Sequence, residues 1–573
     1  MSLTEGLDAP AIMRIGAARL TAGLDRMPRL DLEAHREIFG PLPRLSVEEL
    51  ISVTEQVDLR GQGGAAFPFA RKLRAVVQAA EANDCPTVVV VNAAEGEPGS
   101  VKDKMLMIRS PYLILSGAAL VAEALGAEEI VVGVAGHELA NRSIEAAIAA
   151  EPGLRKMARV VQLPDRFISG ESGALVRGIN GKRPVPPGTK ILASDLGVDD
   201  LPTLLSNAST FAQLAVLALL GPERFAAVGT PEEPGTVLLS VGGSAAHPAV
   251  VEVPTGLPLA AVLDICQAPA GDGVLVGGYH GMWLPAATAY AVPVSREGLA
   301  AVGGTLGSGI VLPIGDGTCP LGEVSRIASY LAGESAGQCG PCKLGLPAIA
   351  RALAALIDGS GGIEALDVAR RSAAGVNGRG ACSHPDGVTR FVLSALDVFT
   401  EDLAAHVFHS ACGRPVRGVL PLPAGPEQEV RQRLEVDWTR CHGHGLCAHL
   451  VPELIHLDAQ GYPVILNIPV PAWLDRDAQQ AVHMCPALAL RLSNTTPTPN
   501  RTVPVTIPAP TLHTGLVGGA SGSRRQITAG SPSLDPGVPA AGRYSGGVDV
   551  TIRLYDRTTR PTWPTSSSAR SGR

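Results

Sequence analysis

Four consecutive valines inside "TVVVVN" (residues 87–92) constrain the fold more than any other stretch. An apolar, β-branched run of that kind reads as a strand without a solvent face, and such a strand needs helices above and below it. The residues that follow supply them. A helix-like "YLILSGAALVAEALGA", a second strand "EIVVGVAG", another helix through "ELANRSIEAAIAA" and a third strand "ARVVQLP" come in order. This is the βαβαβ pattern of an α/β protein with a parallel sheet.

At 573 residues the chain is too long for a single hydrophobic core and divides into several domains. Residues 1–45 read as a helical segment ending near "GPLPRLS", and residues 46–229 hold the alternating pattern. The Gly/Pro-rich stretches "NGKRPVPPG" and "GTPEEPG" mark a loop and a boundary. Short strands in "TVLLSVGG", "AVVEVPTG" and "GVLVGGYHG" flank a short helix "PLAAVLDIC", so residues 230–315 form a small β-rich module. Helices return over 316–425, and a compact unit occupies 430–494. From 495 to 573 Pro, Ser, Thr and Gly dominate and core formers are few, the composition of a disordered tail.

A formal charge of −7 gives no basic face for nucleic acid. The most apolar runs, such as "FAQLAVLALLG", are too short or too interrupted for a bilayer, which takes about 20 residues. The start "MSLTEGLDAP" lacks the basic and apolar regions of a signal peptide. The expectation is a cytoplasmic protein with reduced thiols and no transmembrane span.

In that setting, ten cysteines point to metal ligation or redox chemistry rather than disulfides. Cys85, Cys266 and Cys319 stand alone and read as small buried hydrophobes. "SAGQCGPCKLG" spaces Cys339 and Cys342 as C-x2-C, and "GRGACSHPDG" adds Cys382 about forty residues later. Two thiolates from one turn and a distant third suit an iron–sulfur cluster, with half a zinc site or a vestigial site as the alternatives. Cys441 and Cys447, spaced C-x5-C, with Cys485 in "CPALAL", form a second set. It resembles the small single-cluster ferredoxins, in which this pattern holds a 3Fe-4S or 4Fe-4S cluster. His444 stands where four-iron relatives carry an additional cysteine. It reads either as a ligand to a fourth iron or as a polar residue beside a three-iron cluster. The strand-like "PELIHLDAQGYPVIL" fits the β-hairpin of that fold. "HVFHSAC" spaces His406, His409 and Cys412 three residues apart, on one face if helical; these residue types suit a metal, and the preferred reading is a helix end with partly exposed histidines.

"RGQGGAAFPFARK" (residues 60–72) is a glycine-rich loop followed by cations, in which Gly61, Gly63 and Gly64 let backbone amides approach a phosphate and Lys72 adds charge. "VVVVNAAEGEPGSVKDK" puts Asn92, Glu95 and Glu97 just after a strand, at the sheet edge where ligands bind. "FISGESGALVRGINGKRPVPP" and "PTLLSNASTFA" follow in order, and "GESGA" around Ser172 lacks the spacing of a hydrolase nucleophile elbow.

With these motifs in this order, residues 60–398 resemble the flavoprotein subunit of respiratory complex I, whose relatives serve NAD-linked formate dehydrogenases and hydrogenases. The resemblance implies a Rossmann-like FMN-binding domain, a β-grasp (ubiquitin-like) domain, a helical iron–sulfur bundle and, appended, a small α+β ferredoxin-like domain. It assigns Gly61, Gly63, Gly64, Lys72, Asn92, Glu95, Gly170, Glu171 and Asn207 to FMN, and Phe67 and Glu97 to the nicotinamide dinucleotide. It also makes Cys339, Cys342 and Cys382 the remainder of a four-cysteine site whose first member is Ala336 here. Four further family positions differ: an aspartate is Ala94, a tyrosine is Phe167, a second glutamate is Ser172 and an adenine-stacking aromatic is Ala75. The implied activity is NAD(P)H oxidation through FMN and clusters to an acceptor protein or partner redox subunit. An electron relay without nucleotide oxidation and a degenerate ligand-binding scaffold are the alternatives.

Overall fold

Ile12–Arg14 forms a strand, β1, and the first helix after it is Leu32–Phe39. The N-terminal segment is therefore not helical throughout. The short strand pairs with residues 250–252, more than two hundred positions away, and such a partner leaves no local periodicity to read. The computed structural model describes residues 10–189, 191–423, 431–452, 454–465, 470 and 475–495. Residues 1–9 and 496–573, the latter nearly all of the expected tail, lie outside the described residues.

The valine run is β2 (Val88–Ala93), and β3 (Glu129–Ala135) and β4 (Ala158–Leu163) follow as expected. A fourth strand, β5 (Thr203–Asn207), completes a parallel sheet of order β4-β3-β2-β5. Val89 and Val91 face one core with the helices Pro111–Leu125, Glu138–Ala150 and Ala208–Ala226, and Val88 and Val90 face a second core with Leu175 and Ile179. Burial on both faces is thus what the apolar run encodes. Because β3 and β4 lie to one side of β2 and β5 to the other, the sheet reverses direction between β2 and β5. Their C-terminal residues Asn92 and Asn207 are register partners across that reversal.

The second sheet takes β6 (Thr236–Val241), β7 (Ala249–Pro254), β8 (Gly273–Val276), β9 (Met282–Pro285) and β10 (Ile310–Ile314) in the order β1-β7-β6-β10-β8-β9. β6 and β10 are parallel, while β6/β7, β10/β8 and β8/β9 are antiparallel. Helix Leu259–Ile265 packs into its apolar core. Five helices follow, Pro320–Gly333, Leu346–Ile357, Gly362–Val376, His384–Val398 and Thr400–His409. The last described unit pairs β11 (Arg431–Val436) with β14 (Leu490–Thr495), and β12 (Ile455–Leu457) with β13 (Pro463–Ile465), the expected hairpin. Glu453 and Leu466, at the ends of the stretch read as that hairpin, lie outside the described residues. Among the described residues no single helix is long and apolar enough to cross a membrane.

Candidate functional site

In open α/β sheets the place where strand order reverses leaves a crevice beyond the carboxyl ends of the strands. Here that place is set by Asn92 and Asn207, and the glycine loop closes over it. Asn207 precedes the helix Ala208–Ala226, and its Oδ1 accepts from the Gln62 amide at 3.2 Å and from the Thr210 hydroxyl. The Gln62 amide also donates to Thr210 Oγ1 at 2.9 Å. Gly61 N–H donates to Phe67 O at 3.0 Å, so the loop is a closed turn. The amides of Gly63, Gly64 and Ala65 make no hydrogen bond within the protein among the described residues, and all three residues are exposed. Gly64 has φ +96°, a conformation only glycine adopts without strain, and a Cβ on Gly63 would press on the Asn207 side chain at 3.4 Å. A loop held at both ends with free amides at its tip is suited to an anion.

Lys72, on the helix Phe69–Asn83, reaches the same edge. Its Nζ donates to Leu205 O of β5 at 2.9 Å, and burial lowers its pKa to about 8. On the other wall, Asn92 Nδ2 donates to Gly170 O at 2.8 Å. A Cβ on Gly170 would meet Ala94 O at 2.5 Å, so the chain after β2 and the turn Phe167–Gly170 are in backbone contact. Glu171 caps the helix Ser172–Ile179 by accepting from Ala174 N at 2.8 Å, and remains exposed.

The two glutamates differ in employment. Glu95 accepts from the amides of Asp103 at 3.1 Å and Lys104 at 2.9 Å and from the Ser100 hydroxyl, fixing the start of the helix Lys102–Arg109. Glu97 reaches across to the other sheet, accepting from the Tyr279 amide and from Ser308 Oγ at 3.2 Å. Burial raises its pKa to about 7, offset in part by those two donors. Phe67 is 45% exposed at the loop's far end and is free to meet a ligand ring.

Sequence reasoning missed the buried network beneath this wall. Lys102 Nζ binds Asp103 Oδ2 at 2.8 Å and Ser209 Oγ at 3.3 Å, and Asp103 Oδ1 accepts from Ser209 N at 2.9 Å. Burial acts to lower the Lys102 pKa, but Asp103, Glu95 and Glu97 together raise it. An adjacent Lys-Asp pair opening a helix is the signal that was available, but charged pairs there are usually solvated.

The three cysteines of the first set converge. Cys342, buried, is pushed up to about 12 by burial and by Cys339 and Cys382. Burial works against the Cys339 thiolate, yet the amides of Ala381, Cys342 and Cys339 outweigh it and lower its pKa. Cys339 and Cys342 are also hydrogen-bonded to each other through their side chains, and Cys382 lies near enough to act on both. Amide donors to the sulfurs suit a cluster. The second set converges likewise: the Cys447 pKa is raised first by burial and then by Cys441 and Cys485. Cys485 Sγ accepts from Ala489 N at 3.3 Å. His444 is exposed, with its ring 6.1 Å from that of His442.

The stretch "HVFHSAC" departs from its reading. His409 is exposed, but His406 is 3% exposed and its Nε2 lies 3.2 Å from Cys319 Sγ. The pairing was hidden because Cys319 is 87 residues distant.

Three family models match the chain. The Nuo51 FMN-binding domain covers residues 54–216, the NADH-ubiquinone oxidoreductase-F iron-sulfur binding region 323–406, and the 4Fe-4S single cluster domain 434–492. The F-2 subunit of NADH-quinone oxidoreductase in Rhizobium meliloti is 29% identical over 399 residues, which span 66% of this chain and 93% of that protein. NADP-reducing hydrogenase subunit HndC of Solidesulfovibrio fructosivorans is 26% identical over 422 residues, 70% of this chain and 83% of that protein. Among solved structures, an NAD+-reducing NiFe hydrogenase in the air-oxidized state superposes with a TM-score of 0.62 at 26% identity, covering 70% of this chain and 68% of that one.

Proposed function

The chain belongs with the F-type flavoprotein subunits of NADH-quinone oxidoreductases and hydrogenases, and from that premise we propose the reaction it carries out. It takes a hydride from NAD(P)H onto FMN and passes electrons singly through iron–sulfur clusters to an acceptor protein or a partner redox subunit. The observation that carries this reading is the crevice at the strand-order reversal, walled by Asn92 and Asn207 and roofed by a glycine loop with free amides. FMN, when bound, supplies the step from a two-electron donor to single-electron carriers, and the protein supplies position and field.

The chain's own residues divide the work. Gly61, Gly63, Gly64 and Lys72 hold the anionic end of the cofactor, and Asn92, Gly170, Glu171 and Asn207 form its walls. Glu95 fixes the loop that borders it through the helix start at Lys102. Phe67 and Glu97 face the dinucleotide. Cys339, Cys342 and Cys382 would hold one cluster, with three cysteine ligands because Ala336 stands in place of a fourth. Cys441, Cys447 and Cys485 hold the other, with His444 beside them. We read the second sheet as a β-grasp domain, since β7-β6-β10-β8-β9 around one helix is the ubiquitin-like order with β1 added. The five helices are the iron–sulfur bundle, and residues 430–494 the ferredoxin-like domain. With all ten cysteines unpaired, we place the protein in a reducing compartment, the cytoplasm.

The test is the visible spectrum of anaerobically purified protein before and after NADH, then NADPH. We expect flavin bands over a brown iron–sulfur background that bleach with one of the two. A specific observation favours a second reading: Ala94 is buried and Ser172 carries no charge, so two hydrogen-bonding carboxylates are missing, each worth about 1 to 3 kcal/mol. Flavin reduced by dithionite and by neither nucleotide would overturn nucleotide oxidation in favour of an electron relay. Protein that takes up neither flavin nor iron would leave only a ligand-binding scaffold.

A further inference from the structure

We propose that Cys319, His406 and Cys412 form a mononuclear site for a soft divalent cation, zinc by chemistry, distinct from both cluster sets. The three ligand atoms lie within 4.8 Å of one another, which suits one ion and not a cluster. With thiolates about 2.3 Å and imidazole about 2.0 Å from a tetrahedral zinc, sulfur and nitrogen stand roughly 3.5 Å apart and the two sulfurs roughly 3.8 Å. Cys319 Sγ to His406 Nε2, at 3.2 Å, reaches that spacing with a small outward shift.

The ligands come from three pieces of chain. Cys319 is the N-cap of the helix Pro320–Gly333, and its sulfur accepts from Gly322 N at 3.2 Å, a bond that opposes only in part the burial that raises its pKa. His406 lies in the helix Thr400–His409, and Cys412 in the strap that follows it. Cys319 and His406 are buried, 1% and 3% exposed, while Cys412 is partly exposed, so the fourth corner opens toward solvent and a water fills it. Nδ1 of His406 is buried without a hydrogen-bond partner among the described residues, and only Nε2 is aimed at the sulfurs.

No redox step is involved: binding displaces the two thiol protons and ties the strap to the helix start. Its backbone is already laced there, with Cys319 N donating to Pro415 O at 2.9 Å and Glu323 accepting from the amides of Gly418 and Leu420. The strap is the segment by which the chain leaves the helices of the first cysteine set toward residues 431–495. A cation at this site fixes that departure point.

The experiment uses the full chain, purified anaerobically and dialysed with one equivalent of zinc ion, as wild type, Cys412→Ser and His406→Gln. Zinc, iron and flavin are quantified, and the zinc absorption edge is recorded. We expect about one zinc per wild-type chain with two sulfur ligands near 2.3 Å and nitrogen or oxygen near 2.0 Å. Both variants should lose it at least tenfold, with iron and flavin contents unchanged. Cys412 is at the surface, so Cys412→Ser does not depend on repacking a core. Zinc retained in both variants, a shell of three or more sulfurs, no zinc in the wild type, or a wild-type mass lowered by a Cys319–Cys412 disulfide would each overturn the proposal.

Discussion

Lys72 titrates in the range where it matters for an anionic ligand. Its pKa of about 8 means that the amine is charged at pH 7 and neutral at pH 9. An anion bound beside it raises that pKa, so binding takes up a proton above pH 8. The affinity of the apoprotein for FMN should therefore be flat below pH 7 and fall by about tenfold per unit above pH 8. Flavin fluorescence quenching measures it, and Lys72→Met should bind more weakly with the slope gone; a slope that survives the substitution would remove Lys72 from the site. Glu252 is a buried carboxyl group with a structural role: it accepts from the amides of Arg19, Leu20 and Thr21 and from Thr236 Oγ1. Glu252→Ala leaves those donors unpaired and should cost about 3 to 5 kcal/mol, seen as a lowered denaturation midpoint. The glycine loop was legible in the sequence only through the motifs that follow it in order, because a glycine-rich stretch before cations is a weak signal alone. Glu252 was not, because its partners sit over two hundred residues away.

Helix packing gives a sharper contrast between propensity and context. Gly117 lies in the middle of the helix Pro111–Leu125, where alanine ordinarily gains about 1 kcal/mol. A Cβ there would fall inside the van der Waals radius of Phe211 O on the helix Ala208–Ala226. That oxygen belongs to backbone and cannot swing away, so the clash exceeds the propensity gain. Gly117→Ala should destabilise by about 1 to 3 kcal/mol, and a thermal melt that rises instead would show the helices free to separate. The strands β2 and β3 could be read from sequence because each is a largely apolar run between helical periods, and β4 because its Val160 and Val161 continue that alternation. β1 could not, being three residues on the edge of a distant sheet, nor β5, whose "PTLLSN" runs straight into a helix. The convergence of each cysteine set was legible from spacing, since three thiolates at those intervals have few joint uses. The Cys319–His406 pairing was not, because topology alone brings them together.

Glu97 is one of the groups through which the parallel sheet and the six-stranded sheet meet. Glu97, from the loop after β2, accepts from Tyr279 N in the β8–β9 turn and from Ser308 ahead of β10. Gly278, with φ +85°, makes room for the carboxylate, since a side chain there would overlap it. The pKa of Glu97 is raised, by burial first, from 4.5 to about 7, so the folded protein holds this proton more tightly than the unfolded chain does. The resulting stability is complete below pH 4.5, declines as pH rises toward 7 and is absent above it, about 3 kcal/mol in all. Lys102 and Glu95 stand near enough to act on the same carboxyl, Lys102 favouring its charge and Glu95 opposing it. The clean observable is therefore a difference between two proteins over pH. Glu97→Gln keeps an acceptor for Tyr279 N and offers its amide to Ser308, whose hydroxyl then accepts, so the junction survives without a titratable group. The variant should match the wild-type apoprotein at pH 4.5 and exceed it by up to about 3 kcal/mol at pH 8, read from denaturant midpoints. A constant difference between pH 4.5 and 8 would mean that Glu97 ionises as freely in the folded junction as in the open chain.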